Sequence, residues 1–265
     1  MRIIVPIKQV PETSKVKMDP ETGTMVRKGL ASIVNPLDLY AIETALRVRE
    51  REGGKVTVIT MGPPNATFAL REALAMGCDE AILLSDRQFA GADTWATSYV
   101  LAKAIQKLGE FDLILCGERA TDGDTGQVGP GIASWMDLPL ATYVSKIRDV
   151  SEDGVRIERM VEEGIEVLWS PLPLVLTVIK EVNPPRLPTL RQKLNSLTAD
   201  IIIWGPADID ADPENLGLHG SPTRVVKIQE PQVVRKAEMV YVKQVEDAGV
   251  AAHRVVAFLK ERGLL

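Results

Sequence analysis

The first 138 residues alternate short β-branched runs with longer stretches of helical periodicity, and this alternation leaves the chain few architectures. Arg2–Ile7, Lys55–Thr60, Ala81–Leu84 and Phe111–Cys116 read as strands. Between them, Pro36–Arg51, Ala66–Met76 and Thr94–Leu108 repeat apolar residues at helical spacing. Strands separated by helices pair in parallel, with the helices crossing over the sheet. The expectation is an α/β fold with a mostly parallel, doubly wound sheet. A hydrophobic content of 45% over 265 residues suffices for the core of one large domain, or of a domain with an appendage.

The first helix is marked at its start. Asn35 stands where a cap is wanted, Pro36 suits the first helical position, and Asp38 follows Asn35 at capping-box spacing. Leu37, Tyr40, Ala41, Ala45 and Val48 form its core-facing stripe. Asn35 and Asp38 therefore stand at a helix mouth, within reach of a ligand held there. Pro11–Ile33 is longer than an ordinary connection and has turn signals at Asp19-Pro20-Glu21-Thr22-Gly23, the mark of a short hairpin or a functional flap.

Most of the chemistry lies in Phe111–Gly131, FDLILCGERATDGDTGQVGPG, where a strand feeds a turn-rich loop and then a helix start. Open α/β sheets bind ligands outside the carboxyl ends of their strands, and N–H groups at a helix N-terminus face anions such as phosphate. Gly123, Gly126, Gly129 and Gly131 remove side chains that would block close approach. Asp122 and Asp124 would repel a phosphate and suit ribose hydroxyls or backbone donors instead. Asp124 and Gln127 have capping-box spacing, whereas Pro130 fits a first helical turn, so the helix begins at Asp124 or nearer Val128. The spacing is not that of a G-x-G-x-x-G fingerprint, and no Lys-Ser or Lys-Thr completes a P-loop. The loop reads as a nucleotide cradle, against the alternative of a plain surface turn. Met61-Gly62-Pro63-Pro64 ends another strand with a Gly-Pro turn, so two strand ends are expected to converge on one crevice.

A net charge of −5 with mixed signs offers no broad footprint for nucleic acid or an anionic membrane, so neither is an expected partner. No apolar run reaches the length of a transmembrane segment, and Met1-Arg2 leads straight into a strand, so the expected location is the cytoplasm. Cys78, Cys116, His219 and His253 form no metal set or CxxC pair.

Beyond residue 150, Val155–Met160 and Ile165–Trp169 flank Glu162-Glu163-Gly164 as an antiparallel hairpin, and Leu174–Ile179 reads as a further strand. Asn183–Ser196, with Pro184, Pro185 and Pro188, reads as an extended, exposed linker. The division expected is a nucleotide-binding domain over 1–198 and a C-terminal arm over 199–265. Helical spacing in Ala248–Leu264 leaves Val250, Val255, Phe258 and Leu259 as a stripe the arm cannot bury alone, which points to packing on a partner.

With these landmarks in place, the chain resembles the electron-transfer flavoprotein beta subunit along nearly its whole length. The resemblance is carried by Ile157-Glu158-Arg159-Met160-Val161-Glu162-Glu163-Gly164-Ile165-Glu166-Val167-Leu168, then Pro173-Leu174-Val175-Leu176-Thr177, and by the Asn35-Pro36, Met61-Gly62-Pro63 and Asp122–Pro130 elements. It implies an adenine nucleotide alpha hydrolase-like sheet and a heterodimer with an alpha subunit that holds FAD. The implied cofactor contacts are Pro6, Asn35, Asp38, Met61, Ala120, Thr121, Asp122, Gly123, Asp124, Thr125, Gly126, Gln127, Val128, Gly129, Pro130 and Gly131. One branch of the family holds AMP in this crevice, whereas the electron-bifurcating branch holds a second FAD, and the glycines between Asp122 and Pro130 resemble the second. That branch implies NADH as hydride donor. One electron would pass by the alpha-subunit FAD to a quinone-linked oxidoreductase or acyl-CoA dehydrogenase, and the other to ferredoxin or flavodoxin. No catalytic side chain is implied, since the cofactor carries the chemistry. By the same resemblance Leu190, in Pro188-Thr189-Leu190-Arg191, is an apolar anchor for a dehydrogenase partner. A universal-stress-type nucleotide sensor would share the sheet but has no use for Leu190 or the arm.

Overall fold

The computed structural model describes residues 1–12, 32–226 and 239–265. The turn signals at 19–23 and most of the expected flap lie outside the described residues. The strands in chain order are β1 (Arg2–Pro6), β2 (Gln9–Pro11), β3 (Ser32–Val34), β4 (Lys55–Met61), β5 (Glu80–Leu84), β6 (Leu113–Gly117), β7 (Leu140–Val150), β8 (Gly154–Val161), β9 (Gly164–Pro171), β10 (Leu174–Val178) and β11 (Ile202–Trp204). The helices are α1 (Pro36–Glu52), α2 (Thr67–Met76), α3 (Thr94–Leu108), α4 (Val128–Met136), α5 (Leu190–Thr198) and α6 (Val245–Glu261).

One sheet runs in the order β11-β5-β4-β1-β6-β10-β7-β8-β9, parallel from β11 to β7 and antiparallel over the last two strands. β2 and β3 form a separate antiparallel pair. Alternate strand residues feed two cores, as a pleated strand requires. Ile3, Val5, Val58 and Leu115 meet Ala41, Ala45 and Leu46 of α1 and Leu70 of α2 on one face. Ile4, Ile59, Ile114 and Val175 meet Val100 and Ile105 of α3 and Ile132 of α4 on the other. Two helix-covered faces make the fold doubly wound, as the strand–helix alternation requires.

Three elements depart from the sequence reading. β7 lacks clean alternation because its register shifts against both β10 and β8 and its second half exposes Lys146, Arg148 and Asp149, so the sequence pattern does not mark it. Within Asn183–Ser196, read as an extended linker, α5 begins at Leu190 under a capping box in which the Thr189 hydroxyl accepts from the Gln192 N–H and the Gln192 side chain returns to Thr189. The prolines end before that cap, so only 183–189 is extended. β11 adds to the sheet edge through Ile202↔Ile82 and Trp204↔Leu84.

By compactness the chain divides into Met1–Val226 and Lys227–Leu265, so a boundary at residue 198 falls inside the first unit. In the second unit α6 has a capping box between Gln244 and Asp247, and none of its residues is buried.

Candidate functional site

β1 is where the sheet changes direction. From β1 the chain builds outward through β4 to β5, then crosses back to lay β6 on the other side of β1. Connections leaving in opposite directions open a crevice at the carboxyl ends of β1 and β6, the place where open α/β sheets hold ligands. Pro6 ends β1, Gly117 ends β6, and Met61 ends β4 on the adjoining side of β1.

Asn35 and Asp38 close this crevice from the α1 side. Asn35 occupies the cap position of α1 but makes no side-chain capping hydrogen bond, contrary to the capping box expected of it. Its carboxamide is fully buried and must satisfy both ends. Nδ2 donates to Asp38 Oδ1 at 2.9 Å and to the Arg119 carbonyl at 2.8 Å, and Oδ1 accepts the Thr121 N–H at 3.1 Å. One side chain thus pins the loop after β6 to the mouth of α1. Asp38 also accepts the Lys8 N–H at 2.7 Å. Gly117 permits this approach, since a Cβ there would lie 2.3 Å from Asp38 Oδ1. Burial pushes the Asp38 carboxyl up to about 7, against the opposing pull of its hydrogen bonds from Asn35 and Lys8.

The loop acids are already paired. Lys8 Nζ donates to Asp122 Oδ1 at 2.6 Å, and Arg119 Nε lies 3.1 Å from Asp124 Oδ1. Asp124 takes a left-handed conformation, φ 55°, with its N–H on the Ala120 carbonyl, so it does not cap the helix. The helix starts instead at Val128, with Gln127 as its cap residue and no side chain capping the first turn. The later of the two starts expected from sequence is the one adopted.

These residues fit a phosphate-bearing ligand. The N–H groups of Val128 and Gly129 have no side-chain cap, and Pro130 after them has no N–H to satisfy. The neighbouring carboxylates are neutralised by Lys8 and Arg119. A Cβ on Gly123 would meet nothing within 4 Å, so the loop faces open space. Gly126 has φ 63°, which favours glycine. Gly129 and Gly131 serve packing, because Cβ atoms there would fall 2.8 Å from the Thr177 methyl and 2.5 Å from the Ser98 hydroxyl.

The expected residues therefore separate into groups. Pro6, Asn35, Asp38 and Ala120–Gly131 come together at the switch point. Met61 lies two strands from β6, on the far side of β1. Leu190 stands outside the crevice, at the first position of α5, 76% exposed. Lys8 and Arg119 were not singled out in sequence, although each is the basic residue just beyond a strand that opens on the crevice. Cys116 is buried in the crevice floor, and burial pushes its thiol well above the ordinary range.

α5 inverts the usual amphipathic order. Gln192 approaches Gly77 at the end of α2, Ser196 is buried, and Arg71 of α2 donates to the Ser196 and Ala199 carbonyls. Leu190, Leu194 and Leu197 are left exposed on the opposite side of the helix, beside Leu187. The extended stretch before it is anchored by Arg186, whose Nε donates to the buried Glu43 at 2.7 Å and whose guanidinium also grips Glu50.

Comparison with known proteins gives a consistent picture. The Electron transfer flavoprotein domain matches residues 22–208. An electron transfer flavoprotein subunit beta of Thermoanaerobacterium thermosaccharolyticum is 50% identical over 240 residues, 90% of this chain and 92% of that protein. The caffeyl-CoA reductase-Etf complex subunit CarD of Acetobacterium woodii is 46% identical over 266 residues, the whole of both chains. Protein FixA of Azorhizobium caulinodans is 44% identical over 248 residues, 91% of this chain and 88% of its own. Among the described residues no helix is long and apolar enough to cross a membrane.

Proposed function

The chain belongs to the electron transfer flavoprotein family as a beta subunit, the partner of an alpha subunit, and on that premise we propose that its β1/β6 crevice binds FAD and receives electrons from NADH. The observation that carries this reading is the uncapped first turn of α4 beside a loop whose acids are already neutralised. Val128 and Gly129 amides hold phosphate there, and Gly123 leaves the approach open. Lys8 holds Asp122 ready to accept a ribose hydroxyl, while Asn35 and Asp38 fix the loop against α1. Pro6, Met61, Ala120, Thr121, Thr125 and Gln127 line the same edge of the sheet.

The chemistry a bound flavin supplies is acceptance of a hydride from NADH and departure of its two electrons singly, one by the alpha-subunit FAD to a quinone-linked or acyl-CoA dehydrogenase partner, the other to ferredoxin or flavodoxin. The leucines of α5 dock the dehydrogenase partner, with Leu190 as anchor. α6, exposed along its length, packs on the alpha subunit. Similarity to a subunit of a caffeyl-CoA reductase-Etf complex supports a partner that acts on CoA esters.

A second reading is a simple carrier with AMP in this crevice. It is favoured by the confinement of the linked polar cluster of Asn35, Asp38, Lys8 and Asp122 to the β1/β6 end. Denaturing the purified heterodimer and quantifying what it releases separates the two. About two FAD per heterodimer with little AMP is the expected result, whereas about one of each establishes the simple carrier.

A further inference from the structure

We propose that Tyr143 is a specificity-determining residue of the crevice, contacting the half of a dinucleotide that extends beyond the phosphates and so favouring FAD over a mononucleotide. The inference rests on the reading of this crevice as a FAD site.

Tyr143 lies within β7 at φ 57°, a left-handed conformation that is a genuine outlier for so bulky a residue. The cause is a bulge. β7 pairs with β10 through Val175↔Leu140 and Leu176↔Ala141, then resumes at Val178↔Val144, so Thr142 and Tyr143 together oppose Thr177. The extra residue keeps both Ala141 and Val144 in the α1-side core. It turns Tyr143 out, 50% exposed, with its N–H donated to Thr177 Oγ1 at 3.2 Å. Glycine would make the same bulge without the steric cost of a Cβ in this region. A strained tyrosine where glycine suffices needs a reason other than the fold.

Its position supplies one. Thr177 pairs with Cys116 and Val178 with Gly117, so the bulge sits level with the crevice floor. Gly129 packs against both Thr177 and Cys116, which places the first turn of α4 over β6 and β10. Along this edge of the sheet Met61, Pro6, the Gly117–Asp122 loop, Thr177 with Gly129, and Tyr143 follow in strand order. β7 is two strand spacings from β6, roughly 10 Å. With a nucleoside on the Asn35 side and phosphates at α4, a mononucleotide ends short of β7, whereas a dinucleotide continues onto the Tyr143 ring. An aromatic ring gains most from a flat ring system laid against it.

The test titrates AMP into the heterodimer and follows release of the second flavin, in the natural protein and in Tyr143→Gly and Tyr143→Phe. Tyr143→Gly is expected to lose that flavin at a roughly tenfold lower AMP concentration, with the urea midpoint unchanged or raised, while Tyr143→Phe matches the natural protein. Equal AMP concentrations for the natural protein and Tyr143→Gly overturn the proposal. So does a lowered urea midpoint for Tyr143→Gly, which makes the tyrosine structural. A natural heterodimer that holds one flavin and AMP from the outset sinks the FAD reading itself, before any variant is made.

Discussion

Replacing Asn35 by leucine, similar in volume and without hydrogen-bonding groups, removes three hydrogen bonds at one fully buried point. The three losses are unequal. Asp38 is buried and water reaches it poorly, so loss of its Asn35 partner costs about 1–3 kcal/mol. The Arg119 carbonyl and Thr121 N–H belong to a surface loop where water can replace the lost partner, at about 0.5–1.5 kcal/mol each. The sum is about 2–6 kcal/mol, a large fraction of ordinary domain stability. The assay pairs urea unfolding of the heterodimer with hydrogen exchange at the Thr121 amide, whose protection depends directly on Asn35. A loss below about 1 kcal/mol, with the Thr121 amide still protected, refutes the claim that Asn35 joins the loop to α1. Asn35→Asp is a second test. It sets a new carboxylate against Asp38, so its defect should be worst at alkaline pH and recede on acidification.

The Asp38 carboxyl moves from 3.8 to about 7 on folding, so between those values the folded protein holds a proton the unfolded chain has released; stability should fall by about 4 kcal/mol as pH rises through that window and level off above it. Asp38→Asn should flatten this slope in pH-dependent urea unfolding, and an unchanged slope refutes the assignment. Burial alone would raise Glu43, but hydrogen bonds from Arg186 and Arg47 outweigh it and hold the carboxyl below its usual range. Its contribution is therefore present above that range and lost in acid; Arg186→Met leaves the buried carboxylate with Arg47 alone and should cost about 1–3 kcal/mol at neutral pH, recovering as pH falls. Gly126→Val forces a β-branched residue into φ 63° and should expel the nucleotide while the fold survives, with unchanged flavin content as the contrary result. Leu190→Ala and Leu194→Gln should raise the KM for the dehydrogenase partner several-fold at constant flavin content, and an unchanged KM removes the docking role.

The parallel sheet was legible because its strands are continuous β-branched runs and its helices carry apolar stripes; both signals are local and survive without knowledge of contacts. The hairpin was legible for the same reason. β7 was not, since register shifts break its period of two and set buried Ala141, Val144 and Val150 at uneven spacing among Lys146, Arg148 and Asp149. α5 carried a readable signal in Thr189-x-x-Gln192, but the prolines before it spoke louder for extension. The loop after β6 was legible from its glycines and acids, and Pro6, Met61 and the rest of the contacts only from the family resemblance; the polar partners were legible from neither. Asp124 and Asn35 have capping spacing, and neither caps.

By itself the sequence determined the layered α/β architecture and put a glycine-rich turn at the end of β6, because periodicity and turn chemistry act over a few residues. Only the tertiary structure decided which partners those polar groups would take. Lys8 reaches Asp122 across 114 positions, and Asn35 reaches Thr121 across 86, through neighbouring strands that the chain order keeps far apart. A buried carboxamide takes whatever donors and acceptors the fold sets around it, and here the fold set a loop backbone and a carboxylate rather than the helix it was spaced to cap.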